Sequence, residues 1–155
     1  MTILHGAQPG TLRQLLNDES EHDHPSPARL LADLPPELAL TRPANAAHAI
    51  AQIVAHANMR FNLALAEGKE EGRENWPNVS LQDWPRLAEE CLNLLAQLQQ
   101  LTDDEANLSR IVYAATGEEP AWTVGYKLTA SVAKHGAYHF GQITLLRRLL
   151  GVPLP

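Results

Sequence analysis

Apolar positions recur every three or four residues along several stretches of this chain, and its prolines fall between those stretches rather than inside them. That is how a helical chain is punctuated. The pattern predicts a short helix over 11–17 (TLRQLLN) and a second short one over 26–34. Ser26 would cap the second, with Pro27 at its first position. Pro35, Pro36 and Pro43 bracket a connector. A stronger helix follows over 45–67, with Ile50, Ile53, Val54, Ala57, Phe61, Ala64 and Leu65 as its apolar stripe and Gly68 as its stop. A polar loop, KEEGRENWPNVS, leads to a helix over 84–101. Asp83 is its expected cap, and Leu87, Cys91, Leu94, Leu98 and Leu101 repeat on one face. Residues 102–122 read as mostly connector, with room for one helical turn. The last helix is expected over 123–150, with Gly151 just beyond; at ~1.5 Å per residue it would be about 42 Å long. No strand pattern and no repeat stands out. The expectation is an all-α chain, an antiparallel four-helix bundle with short extra N-terminal helices, forming one domain over 1–155.

Composition narrows the function classes. With 155 residues the chain can bury a substantial core. The net charge of −6 argues against nucleic acid as a partner. Arg147 and Arg148, the only basic cluster, read as a solvated face near the negative end of a helix dipole. No apolar run approaches the ~20 residues of a membrane span. The start, MTILHGAQPGTLRQLL, lacks the layout of a signal peptide, so a cytoplasmic protein is expected. The single cysteine, Cys91, excludes an internal disulfide and multi-cysteine zinc sites; on its apolar stripe it reads as a buried, inert thiol.

The candidate chemistry lies in KHGAYHFGQI, residues 134–143. His135 and His139 are four apart, so on a helix both rings point the same way. Seven histidines make a chance pair at this spacing common, so position carries more weight than spacing. Val124, Leu128, Val132, His135, His139, Gln142 or Ile143, Leu146 and Leu149 fall on one stripe, which puts both imidazoles in a core-facing row. Buried imidazoles need partners for their nitrogens, and a shared metal ion is one way to supply them. Catalytic zinc sites commonly take three protein ligands and leave one position open. His48 and His56 on the central helix are the candidates for a third. His56 is mid-helix and favoured, and His48 reads as solvent-facing, although periodicity alone does not choose between them. His22 and His24 read as exposed loop residues and His5 as part of a disordered terminus. Gln142 could orient a ligand or a water; Tyr138 could do the same or only pack. Trp76, Trp84 and Trp122 stand at loop–helix junctions, where they seal bundle ends or line a pocket mouth. No Asp or Glu stands out as a general base. The plain alternative is structural: the histidines bond to one another, to Gln142 and to water.

The last helix, with H-x-x-x-H followed by GQI and LLRRLLG, resembles the DinB/YfiT-like superfamily of metalloenzymes. The segment AHAIAQIVAHANMRFNLALAEG resembles that family's ligand-bearing second helix. The order of elements is similar over nearly the whole chain. The resemblance implies a four-helix bundle with a divalent metal on His56, His135 and His139. Three imidazoles suit zinc or nickel, and iron is possible. It also implies a homodimer, and an enzyme that transfers a small-molecule thiol to an electrophile. A metal-dependent hydrolase and a non-catalytic, metal-binding stress-response bundle are the alternatives. Gly136 and Phe140 depart from the asparagine and the basic residue frequent in the family at those positions; neither change removes a ligand.

Overall fold

The computed structural model describes residues 1–67 and 75–155. Among them the chain is mostly helical: α1 (Pro9–Leu16), α2 (Pro27–Leu31), α3 (Pro36–Ala39), α4 (Ile50–Leu65), α5 (Trp84–Gln100), α6 (Glu105–Ser109), α7 (Val124–Leu128) and α8 (His135–Leu149). A π-helical segment, Thr129–Lys134, joins α7 to α8 without a break. The last helix is therefore continuous over 124–149, close to its expected span.

Local chemistry explains most boundaries. Ser26 caps α2, its hydroxyl accepting the Arg29 N–H, and Thr123 caps α7 by accepting that of Tyr126. Gly151, at φ +70°, ends α8. Its N–H reaches the Arg148 carbonyl and that of Val152 reaches Arg147, the paired bonds of a Schellman stop. At the end of α4 the left-handed residue is Glu67, φ 54°; Gly68, the expected stop, lies outside the described residues. Asp83 does not cap α5, because its carboxylate turns back to accept the N–H and hydroxyl of Ser80.

The core gathers Leu12 and Leu16 from α1, the α4 stripe, Cys91, Leu94, Leu95 and Leu98 from α5, and Leu128, Val132, Ile143 and Leu146 from the last helix. Helix α4 packs along α5 and against α8, while α1 packs on α5 and the π segment. Asn58, buried at the α4–α5 contact, donates to the Leu87 carbonyl.

Several expectations are corrected. The connector after α5 carries a short 3-10 turn (Leu101–Asp103), α6 and two short strands, β2 (Ile111–Tyr113) and β3 (Ala121–Thr123). With β1 (Ile3–Leu4) they form a sheet in the order β1-β3-β2, with β1 parallel and β2 antiparallel to β3. Strands of two or three residues are too short to register as alternation. The N-terminus around His5 is thus tied down rather than disordered. Gly6 makes this possible: at φ +68° it lies so close to the Gly125 carbonyl that a Cβ would sit 2.3 Å from the oxygen. A helical turn, α3, occupies the proline-bracketed connector. Arg147 is not solvated but 1% exposed. Its guanidinium donates to the carbonyls of Leu30, Ala32 and Pro153, clamping the end of α2 and the C-terminal tail onto α8. Leu149, placed on the inward stripe by periodicity, is exposed.

Candidate metal centre

The π segment decides how the last helix presents its histidines. Through it the buried row steps by fours, Val124, Leu128, Val132 and Gly136, before returning to His139, Ile143 and Leu146. A π turn holds one more residue than an α turn and shifts the register of the helix beyond it. Gly136 thereby takes the inward place, packed near Phe61. His135 moves to the flank and is half-buried, whereas His139 is buried. The expected central place of both rings in the core row is corrected to one inside and one at its edge.

On α4, His56 is buried, 4% exposed, and faces this edge. The Nε2 atoms of His56 and His135 are 3.1 Å apart, and those of His139 and His135 2.9 Å. All three ligand atoms lie within 4.8 Å of one another. Two of the three outer nitrogens are held. His56 Nδ1 donates to the Asn75 carbonyl at 2.8 Å, and His139 Nδ1 to Gln142 Oε1 at 2.7 Å.

Those two bonds fix the tautomers. A carbonyl oxygen only accepts, so each Nδ1 carries the proton and each neutral ring turns an Nε2 lone pair toward His135. His135 has at most one Nε2 proton to offer two lone pairs. Nor do the rings readily gain further protons. Burial, followed by the neighbouring His139, Arg60 and His56, pushes the His135 imidazole down to about 4. Burial also lowers His139, against the opposing effect of Gln142. The donor set, three neutral imidazoles with Nε2 inward and carbonyls behind two of them, fits a divalent cation. The two separations to His135 Nε2 fall a few tenths of an ångström short of the ~3.3 Å between ligands of a tetrahedral zinc ion, and the three ligand atoms together lie within 4.8 Å.

Residues 28–143 match the family description of the DinB superfamily. The chain belongs to the DinB superfamily. No curated protein and no solved structure matches it. The DinB match spans α4 and most of α8, and so includes all three histidines and Gln142.

The surroundings of this DinB site include a residue that periodicity undervalued. His48 is half-buried rather than solvent-facing; it stacks on Trp76 with ring centroids 3.6 Å apart and planes 11° apart. Trp76 also stacks on His56, at 4.3 Å and 18°, and meets His139 edge-on at 6.1 Å. The indole thus roofs one side of the cluster. A Trp in a polar loop beside two histidines was the available signal, but only folding brings position 76 over α4. His48 and Gln142, with Asn45, are the polar residues of a pocket of about 340 Å³ otherwise lined mainly by Ala44, Ala46, Ile53, Leu145 and Leu146.

The other candidates lie apart. Tyr138 touches His139 edge-on, with centroids 5.1 Å apart, but its side chain is mostly exposed. His22 and His24 are exposed, as expected, and so is His5. Cys91 is fully buried, and desolvation pushes its thiol up to about 12. Trp84 seals the α3–α5 junction by donating to the Leu34 carbonyl, and Trp122 packs on Tyr113 and Tyr126 in the sheet. Among the described residues no carboxylate joins the histidine cluster, and no helix is long and apolar enough to cross a membrane.

Proposed function

We propose that this DinB-superfamily chain is a single-domain antiparallel four-helix bundle over 1–155 that holds a divalent metal ion on His56, His135 and His139. We propose further that it transfers a low-molecular-weight thiol to a small electrophile. The observation that carries the reading is the convergence of three Nε2 atoms, two of them on rings whose outer nitrogen is engaged, that of His56 by Asn75 and that of His139 by Gln142. Zinc or nickel suits three imidazoles, and iron is compatible. When bound, such an ion acts as a Lewis acid that acidifies a coordinated thiol or water.

The chain supplies the rest. Gln142 holds the His139 ring in its binding tautomer, and the Asn75 carbonyl does so for His56. Trp76 excludes water from one side, and the half-buried position of His135 leaves the other approachable. The buried Cys91 is no nucleophile, so the sulfur comes from a cosubstrate. The pocket beside His48 and Gln142 takes the apolar part of the electrophile. We place the protein in the cytoplasm as a homodimer, with neither nucleic acid nor membrane as partner.

Metal analysis of protein purified without an affinity tag tests the site: about one equivalent is expected, lost in His135→Ala and in His56→Ala. Incubation with glutathione or cysteine and 1-chloro-2,4-dinitrobenzene, with and without zinc or nickel, tests the reaction. Metal-dependent thioether formation supports transfer. Full metal occupancy with no turnover of any thiol would leave a metal-binding bundle and overturn the enzymatic part. A stable protein that takes up no metal would overturn both.

A further inference from the structure

The last helix has a second functional-looking flank, offset from its histidine row. Ala133, Gly136, Ala137 and Gly141 lie there, and with Leu15, Leu30 and Phe140 they border a cavity of about 420 Å³ between this helix, α1 and α2. Four small residues on one helical flank create the space. A Cβ built on Gly141 would meet nothing within 4 Å, so the glycine answers no packing demand.

The polar groups around the cavity are mostly spent on the protein itself. Thr129 accepts the Ala7 N–H and donates to the Gly125 carbonyl. Thr144 donates to the Phe140 carbonyl. Asp18 accepts from the N–H and hydroxyl of Ser20, and His24 Nδ1 donates to the Pro25 carbonyl. Lys134 differs: it is exposed and has no ion pair among the described residues. The lining therefore offers an apolar body of space and one available cation. An apolar cavity of ~150 Å³ accommodates benzene, so this one suits a body of about two to three rings or a comparable chain, within the size range of small-molecule sites.

We propose that this cavity binds a small amphiphile, an apolar ring system or chain with an anionic group that reaches Lys134. The site is separate from the histidine cluster and does not depend on metal.

The full-length protein, titrated with 1-anilinonaphthalene-8-sulfonate at neutral pH, tests this. Saturable binding of one equivalent is expected, with a melting temperature that rises with dye concentration. Ala137→Phe and Gly141→Leu, both at exposed positions, fill the space and should weaken binding at least tenfold with circular dichroism unchanged. Lys134→Gln should weaken the sulfonate several-fold but leave the uncharged N-phenyl-1-naphthylamine unaffected. His135→Ala should leave dye binding intact even where it abolishes metal uptake, which separates failure of this site from failure of the metal centre. Unsaturable binding, or binding indifferent to both filling variants, would overturn the proposal. So would a dimer, seen by sedimentation, whose formation excludes the dye; that result would assign the cavity to a second copy of the chain.

Discussion

Replacing Gln142 by leucine removes the acceptor behind His139 and leaves all three proposed ligands in place. The bond lost is short, 2.7 Å from His139 Nδ1 to Gln142 Oε1, and half-buried. Its net worth is about 1 kcal/mol. Its loss has a second effect: without an acceptor at Nδ1, the tautomer that presents the Nε2 lone pair is no longer favoured, and selecting it costs a further fraction of a kcal/mol. Together these predict zinc binding weaker by roughly 10- to 100-fold, the range typical for groups that orient metal ligands, or about 1.4–2.8 kcal/mol. The assay is competition against a chromophoric chelator at pH 7.5.

Two companion variants make the reasoning refutable. Gln142→Glu keeps an acceptor of greater basicity and should bind zinc at least as tightly as the parent chain. Asn75→Ala should change affinity little, because Asn75 reaches His56 through its backbone carbonyl. If Gln142→Leu binds zinc as well as the parent does, or if Asn75→Ala is as impaired as Gln142→Leu, the carbonyls do not set the tautomers and the account of the cluster is wrong.

Other expectations test other parts of the molecule. Arg147→Leu strands the carbonyls of Leu30, Ala32 and Pro153 and should cost about 3–5 kcal/mol in urea unfolding; a loss below 1 kcal/mol would mean that water replaces the guanidinium. The pH dependence of the metal-free protein follows from His135, held at about 4 when folded against ~6.5 unfolded. The unfolded chain takes up the proton first, so stability is full above pH ~6.5 and declines as the pH falls toward 4. Because the ring is half exposed, the loss is about 1–2 kcal/mol rather than the full difference; a metal-free urea midpoint that stays flat from pH 7 to 4.5 would contradict this. Cys91, with its thiol pushed up to about 12, should resist iodoacetamide at pH 8 until the chain is unfolded, as mass spectrometry would show. Thr123→Ala removes the cap of the last helix and should lower stability by about 1 kcal/mol.

The long elements were legible because their signals are redundant. In α5, apolar spacing places the helix to within a residue of its observed span even though Asp83 does not cap it, and Gly151 marks the end of α8 as its position suggests. The three histidines could be chosen because His135 and His139 fix one helix face and His56 lies mid-helix on the other candidate element. The features that stayed hidden depend on contacts far apart in sequence. The short β1 exists because Gly6 lets residues 3–4 lie along β3. Arg147 looks like any surface arginine until the end of α2 and the C-terminal tail close over it. The π turn escapes any search that assumes 3.6 residues per turn, because 128, 132, 135 and 139 align well in an unbroken α-helix.

The π turn also shapes the chemistry open to the cluster. An unbroken α-helix would set His135 and His139 together in the inward row, beside Val132 and Ile143, with no route from solvent. With the extra residue, Gly136 fills the inward place against Phe61 and His135 stands at the boundary, its Nε2 still within 3.1 Å of those of both partners. The site then combines two demands that usually conflict. His56 and His139 are buried enough to be held rigidly by Asn75 and Gln142, and His135 is open enough for a ligand from solution to reach the cluster. Polar atoms that cannot all satisfy one another are costly in a core, and here two lone pairs compete for one proton. That residual mismatch disfavours a purely structural role, since an apolar trio would pack the same space without it.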